Sequence, residues 1–326
     1  MKKLLTILLL ALLPFTANAG VRAFHFVLRA ITLERAFWIV DTLVENQYNT
    51  IVPLITDGVD LDNQVWVSRS DSWTKLEFIT FIKYAQSKGI RVVPELKLLT
   101  HQEKFFAANR TPEKILMFNK NTYNVSAASN TIVYGKVYAL IDELIDIIHP
   151  TAFHIGHDEL AGWDSASYQT DLNYGDIVLP AGKYYNDIIY LHNYLLSKKI
   201  TTWMWADMLE SPSEFPTMRK NNLHGGNLLG YGKTLRDRLP KDIVLCDWHY
   251  KENLSLVTYT SLNTLTLEGF RTLGAVWLYP EAFSKSAKLG GSKGMIATSW
   301  SYVQLRDWST VYNIIVNSGK SFNKYF

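Results

Sequence analysis

The chain has a single cysteine, Cys246, among 326 residues. An internal disulfide framework and any multi-cysteine metal site are therefore excluded. It has no surplus of either charge, with 33 basic against 30 acidic residues. Removing Lys2 and Lys3 with the leader described below leaves 31 basic against 30 acidic. A nucleic-acid groove needs a basic surplus or stripe, and neither is visible. No Gly-x-Gly-x-x-Gly turn follows the first strand-like run, and no P-loop occurs. Past the first twenty residues no apolar run approaches the roughly twenty residues that cross a bilayer. What is abundant is aromatic: 13% of the chain, with ten tryptophans.

The first segment reads as an address. Lys2 and Lys3 precede an apolar stretch from Leu4 to about Leu13, and Ala17-Asn18-Ala19 forms a small-residue cleavage site before Gly20. The expectation is a signal peptide over 1–19 and one domain over 20–326. The protein would be exported to the periplasm or the extracellular space of a bacterium and carry no membrane segment after cleavage.

Beyond the leader one unit repeats. Short apolar runs occur at Ala23–Leu28, Thr50–Ile55, Ile90–Leu96, Ala152–Gly156, Thr201–Trp205, Ile243–Asp247, Gly274–Leu278 and Met295–Trp300. Amphipathic stretches lie between them. Leu33, Phe37, Val40 and Val44 recur at helical spacing within 33–46, and 75–88, 133–148 and 183–199 read the same way. Between 206 and 240 the prolines and glycines allow only short helices. Strands separated by helices pair in parallel, and eight such units in one chain fit a (β/α)8 TIM barrel rather than an open doubly wound sheet.

A barrel directs attention to the C-terminal ends of its strands. In order these carry Arg29, Thr56-Asp57, Glu95 with His101, His157-Asp158-Glu159, Trp205 with Asp207, Asp247-Trp248-His249-Tyr250, Tyr279 and Trp300. Carboxylates, an arginine and flat aromatics suit a carbohydrate: charged groups for hydroxyls, rings for sugar C–H faces. Asp158 and Glu159 are adjacent, so ionising both is costly. One is expected to have a raised pKa and to stay protonated near neutrality, as glycoside cleavage requires of its acid. Chain neighbours cannot sit on opposite sides of one glycosidic bond, roughly 5 Å apart, as a retaining acid and nucleophile do. A substrate that brings its own nucleophile, a 2-acetamido oxygen, removes that difficulty.

HIGHDEL (residues 154–160) resembles the His-x-Gly-Gly-Asp-Glu signature of family 20 glycoside hydrolases, the β-N-acetylhexosaminidases, with His157 where the family has glycine. The resemblance extends over about 23–308. VVPELKLLTH (92–101) is similar to the family's Pro-Glu-Ile-Asp-x-Pro-Gly-His, with Lys97 in place of the aspartate, and Thr56-Asp57 to its Thr/Ser-Asp-Asp. The resemblance implies that Asp158 positions the acetamido group, Glu159 is general acid and base, and an Asp57–His101–Glu159 chain steadies the proton. It implies that Arg29 grips sugar hydroxyls and that Trp205, Trp248 and Trp300 wall the acetamido pocket. Asp207 would contact the sugar, and Tyr279, with Tyr250 as rival, would bond the acetamido oxygen. Ser301 stands where the family often has a glutamate.

The ligand would be a glycan ending in β-linked N-acetylglucosamine or N-acetylgalactosamine, cleaved with retention and without cofactor. A metal centre built from His154, His157, Asp158 and Glu159 is disfavoured, because His-x-x-His on a strand points its rings to opposite faces. Two alternatives remain: a catalytically weak sugar-binding protein on the same barrel, and a glycosidase with no acetamido requirement. The sequence leaves the oligomeric state open.

Overall fold

The computed structural model describes residues 20–102, 105–106, 116–119, 121–126, 130–160, 179–219, 223–225, 231–250 and 259–326. The expected leader, 1–19, lies outside them. Among the described residues nine strands form one sheet: β1 Val21–Leu28, β2 Thr50–Ile55, β3 Arg91–Val92, β4 Glu95–Leu98, β5 Ala152–Gly156, β6 Thr201–Trp205, β7 Val244–His249, β8 Arg271–Val276 and β9 Gly294–Thr298. Every strand pairing is parallel, and β1 bonds both β2 and β9, so the sheet closes. β3 and β4 are two halves of one stave, both paired with β2. Pro94, which has no N–H to donate, sits at the break. The eight staves are those of a (β/α)8 barrel, as the alternation of runs implies.

Helices return the chain between staves: α1 Leu33–Glu45, α2 Lys75–Ser87, α3 Asn130–Ile148, α4 Ala181–Ser197, α5 Gly232–Arg238, α6 Thr260–Leu267, α7 Pro280–Leu289, α8 Ser301–Gln304 and α9 Trp308–Tyr325. The four long helices expected from periodicity form within three residues of their expected ends. The Thr32 hydroxyl caps α1, and Thr74 with Glu77 forms a capping box on α2. Between 206 and 240 the described chain forms only a 3-10 turn, Asp207–Leu209, and the two-turn α5. The seventh expected run is displaced. β8 starts at Arg271, in register with Val244 of β7, and ends before Trp277. Gly274, Ala275 and Val276 of the expected run lie in the ladder, whereas Leu278 is exposed past its end.

All six residues of β2 are buried, as expected where one face meets the barrel interior and the other the helices. An inner cluster that includes Ala23, Val52, Trp203, Trp205, Cys246, Leu273 and Ile296 fills the barrel. Burial pushes the Cys246 thiol up, so it packs as an apolar group. Among the described residues no helix is long and apolar enough to cross a membrane.

Candidate active site

β4 brings charge inward through strand periodicity: Glu95 and Lys97, two apart, share a face. Glu95 is fully buried, 2.8 Å from His25 Nε2, and its Oε1 accepts the Trp205 indole N–H at 3.0 Å. Burial opposes its ionisation, yet the His154 and His25 rings and the Lys97 ammonium hold it down at about 2. Burial also lowers His154, to about 4, and its Nδ1 accepts the Gly156 N–H at 3.1 Å. One pleat further out, Lys97 Nζ lies 2.6 Å from Asp158 Oδ2 and 4.7 Å from the Trp300 ring centroid.

The turn after β5 carries the acid pair on a strained path. Gly156 has φ +74°, and a Cβ there would meet the Leu96 carbonyl oxygen at 2.9 Å, so glycine is required. His157 and Glu159 also have positive φ, 72° and 53°, a conformation that persists only when neighbours over-determine it. Those neighbours are visible. His157 Nε2 lies 2.7 Å from Asp187 Oδ2, and the Tyr123 and Tyr134 hydroxyls donate to the same buried carboxylate. The Tyr184 hydroxyl donates to the His157 carbonyl at 2.8 Å. The Glu159 N–H donates to Asp207 Oδ2 at 2.8 Å, and Asp207 also takes His224 Nδ1 at 2.9 Å and the Trp248 indole N–H at 3.3 Å.

The acid pair departs from expectation in its electrostatics. Neither carboxyl is raised. Burial favours the neutral form of Asp158, but Lys97 and His101 hold it well below the carboxylate range. Burial likewise opposes Glu159 ionisation, and contact with His101 lowers it nonetheless. His101 Nε2 lies 3.4 Å from Glu159 Oε2 and 3.5 Å from Asp158 Oδ2. Burial works against its charge, but the Asp158 carboxylate raises it to about 10. The like-charge repulsion that would keep one acid protonated is cancelled by two cations absent from the pairwise argument. His101, rather than either acid, is therefore the group whose protonated form the site favours.

A cavity of about 450 Å³ opens at this end of the barrel. Of the residues singled out in the sequence, Arg29, His101, Asp158, Glu159, Trp248, Tyr250 and Trp300 line it. Trp248 and Tyr250 stack at 5.0 Å, and Trp300 stands at 70° to Tyr250. Four expected residues sit elsewhere. Trp205 is fully buried beneath Trp300, ring centroids 5.7 Å apart, so it supports the aromatic wall and does not form it. Asp207 is buried behind the wall and occupied by its three donors. Asp57 pairs with Arg29 at 3.1 Å, so the expected Asp57–His101–Glu159 chain is not formed: His101 reaches the acids directly. Tyr279, 40% exposed, precedes α7 outside the cavity; its rival Tyr250 holds the wall position.

Lys97 and Phe105 also line the cavity, and neither was selected as a site residue. The two-residue spacing from Glu95 was the available signal for Lys97. Asp187 was missed because it sits mid-helix on α4, far from any strand end. His157 is buried away from the cavity, so its exchange for glycine does not narrow the pocket.

His101, Asp158 and Glu159 offer ligand atoms within 4.8 Å of one another, as do Glu210, Asp247 and His249. At the first group the Lys97 ammonium already competes for Asp158. His154 and His157, also weighed as ligands, are turned to Gly156 and Asp187.

Solved structures share this barrel. Flavobacterium johnsoniae chitobiase superposes with a TM-score of 0.65 at 16% identity, over 93% of this chain and 48% of its own. Dispersin B gives 0.63 at 14% identity, over 94% of this chain and 100% of its own. The β-N-acetylhexosaminidase from Bacteroides fragilis gives 0.62 at 14%, over 94% and 66%. This chain thus spans about half the length of the chitobiase. No curated protein matches it. Residues 49–258 match the family model described as glycosyl hydrolase family 20, catalytic domain. With that match over most of the barrel, the chain belongs to glycosyl hydrolase family 20.

Proposed function

We propose that this protein is an exported hydrolase of terminal β-linked N-acetylglucosamine or N-acetylgalactosamine, acting with retention through attack by the substrate's own acetamido oxygen. One observation carries the reading. Asp158 Oδ2 is taken by Lys97, while Asp158 Oδ1 is buried without a partner at the cavity wall. An orphaned buried acceptor is costly, and an acetamido N–H is the kind of donor that satisfies it. Accepting that bond orients the acetamido oxygen toward the anomeric carbon.

Glu159, whose side chain is 38% exposed, stands beside Asp158 and faces the leaving group. Its carboxylate receives a proton from the His101 imidazolium and passes it to the glycosidic oxygen as the bond to the anomeric carbon breaks. The acetamido oxygen closes an oxazolinium ring. Water then attacks the anomeric carbon, Glu159 takes its proton, and the ring reopens to the free sugar. Trp248, Tyr250 and Trp300 supply the apolar faces, and Arg29 the hydroxyl contact.

The binding-protein reading is favoured by one feature: contact with His101 lowers Glu159, so the protonated form is favoured on His101 rather than on the acid. Purified protein with an aryl N-acetyl-β-glucosaminide separates the two readings. Turnover that is lost in Glu159→Gln and crippled in Asp158→Asn supports the hydrolase. Binding of N-acetylglucosamine without turnover in the wild type supports the binding protein. Near-wild-type turnover in either variant overturns the assigned roles.

A further inference from the structure

The opposite end of the barrel carries a second cavity, of about 200 Å³, ringed by the N-terminal ends of the strands. Arg91 opens β3, Arg271 opens β8, and Lys293 immediately precedes β9. All three line this cavity, with the Thr151 and Thr201 residues beside them and Trp203 on its apolar side. Among the described residues no carboxylate lines it. Among the described residues none of the three cations has an ion pair. The contrast within the molecule is direct: buried Arg236 is gripped by Glu214 and Glu268.

Arg91 is held in place without a counter-charge. Its guanidinium lies over the Trp203 ring, 5.4 Å from the centroid. Burial and the neighbouring Arg271 charge both disfavour its protonated form. Guanidinium does not lose its proton at accessible pH, so the repulsion persists until an anion enters. Planar N–H forks match the oxygen pairs of a tetrahedral oxyanion, and threonine hydroxyls can donate to the remaining oxygens. At roughly 30 Å³ per water, the cavity holds such an anion with several waters.

We propose that this cavity binds a compact oxyanion, phosphate or sulfate, free or as a monoester, held by Arg91, Arg271 and Lys293. The site lies at the other end of the barrel from the acid pair and is independent of the hydrolase reading.

Calorimetric titration of the full chain in chloride buffer tests it, with inorganic phosphate in one arm and glucose 6-phosphate in the other. One anion per chain is expected, with affinity weakened about tenfold or more in Arg91→Gln/Arg271→Gln, the loss of at least one charge-assisted hydrogen bond. Turnover of an aryl glycoside should be unchanged. Arg271→Gln/Lys293→Gln, at two exposed positions, gives the same reading should the first variant not fold. Tighter binding of the monoester supports the site and assigns an esterified ligand; tighter binding of phosphate supports it and assigns the free anion. Absence of binding by both at millimolar concentration, or binding undiminished in a folded variant, overturns the proposal.

Discussion

At the C-terminal end of the barrel the cations at the pocket face carboxylates: Lys97 lies 2.6 Å from Asp158, Arg29 3.1 Å from Asp57, and His101 within 3.5 Å of both acids. At the N-terminal end Arg91, Arg271 and Lys293 share a cavity that no carboxylate among the described residues lines. The same staves therefore present a self-neutralised pocket at one end and an uncompensated one at the other. A pocket that balances its own charge has no need of a charged ligand. It offers hydrogen bonds and ring faces, which suits a neutral sugar. A pocket that leaves cations unbalanced selects for an anion. The difference also explains the acids, because their neighbours, rather than each other, decide their protonation.

Breaking the neutral end should have the largest effects. Replacing Glu159 with Gln removes the group that moves the proton, and turnover should fall by about 10²–10⁴-fold with the melting curve little changed. Next is Lys97→Met, which removes the nearer of the two cations beside the buried Asp158 carboxylate. A loss of about 3–5 kcal/mol in denaturant unfolding is expected, since breaking a buried pair costs more than the pair contributes. Asp187→Ala leaves the Tyr123, Tyr134 and His157 donors without their acceptor. It should cost about 1–3 kcal/mol for each group left unsatisfied, and it should lower turnover although Asp187 does not line the pocket.

The pH dependence of stability sharpens the comparison further. His101 is raised in the folded state, so its contribution is complete below about 6.5 and is lost as pH climbs toward about 10. Glu95, Asp158 and Glu159 are lowered, so theirs is present above the ordinary carboxylate range and is lost as pH falls through it, toward about 2 for Glu95. Thermal melts should fall off on both sides of neutrality, and His101→Gln should flatten the alkaline side and, by removing a cation that lowers Asp158 and Glu159, weaken the acid side as well. The smallest effect is expected at Tyr279, half exposed and outside the cavity: Tyr279→Ala should change stability and turnover within about 0.5 kcal/mol.

The fold was largely legible because each barrel stave announces itself locally, by an apolar run and a following amphipathic helix. The staves' ends then brought Arg29, His101, Asp158, Glu159, Trp248, Tyr250 and Trp300 to one cavity. What was not legible depends on three-dimensional neighbours. Trp205 and Trp300 each lie at or just past a strand end, but which ring lines the cavity and which lies beneath depends on pleat and stacking. The family resemblance links Asp57 to His101, while the Arg29 guanidinium, close in space, claims Asp57 instead. Asp187 braces the catalytic turn from a helix 30 residues onward, a pairing with no local pattern. The protonation of the acid pair was misjudged because Lys97, a single substitution in the β4 segment, changes the charge both acids experience.

The central claim is that the sugar's own acetamido group does the work that an enzyme nucleophile does elsewhere. It is tested most directly by kcat/KM on a matched pair, an aryl N-acetyl-β-glucosaminide and the aryl β-glucoside with the same leaving group. The account predicts hydrolysis of the first and essentially none of the second; equal rates on the two, or preference for the glucoside, would contradict it.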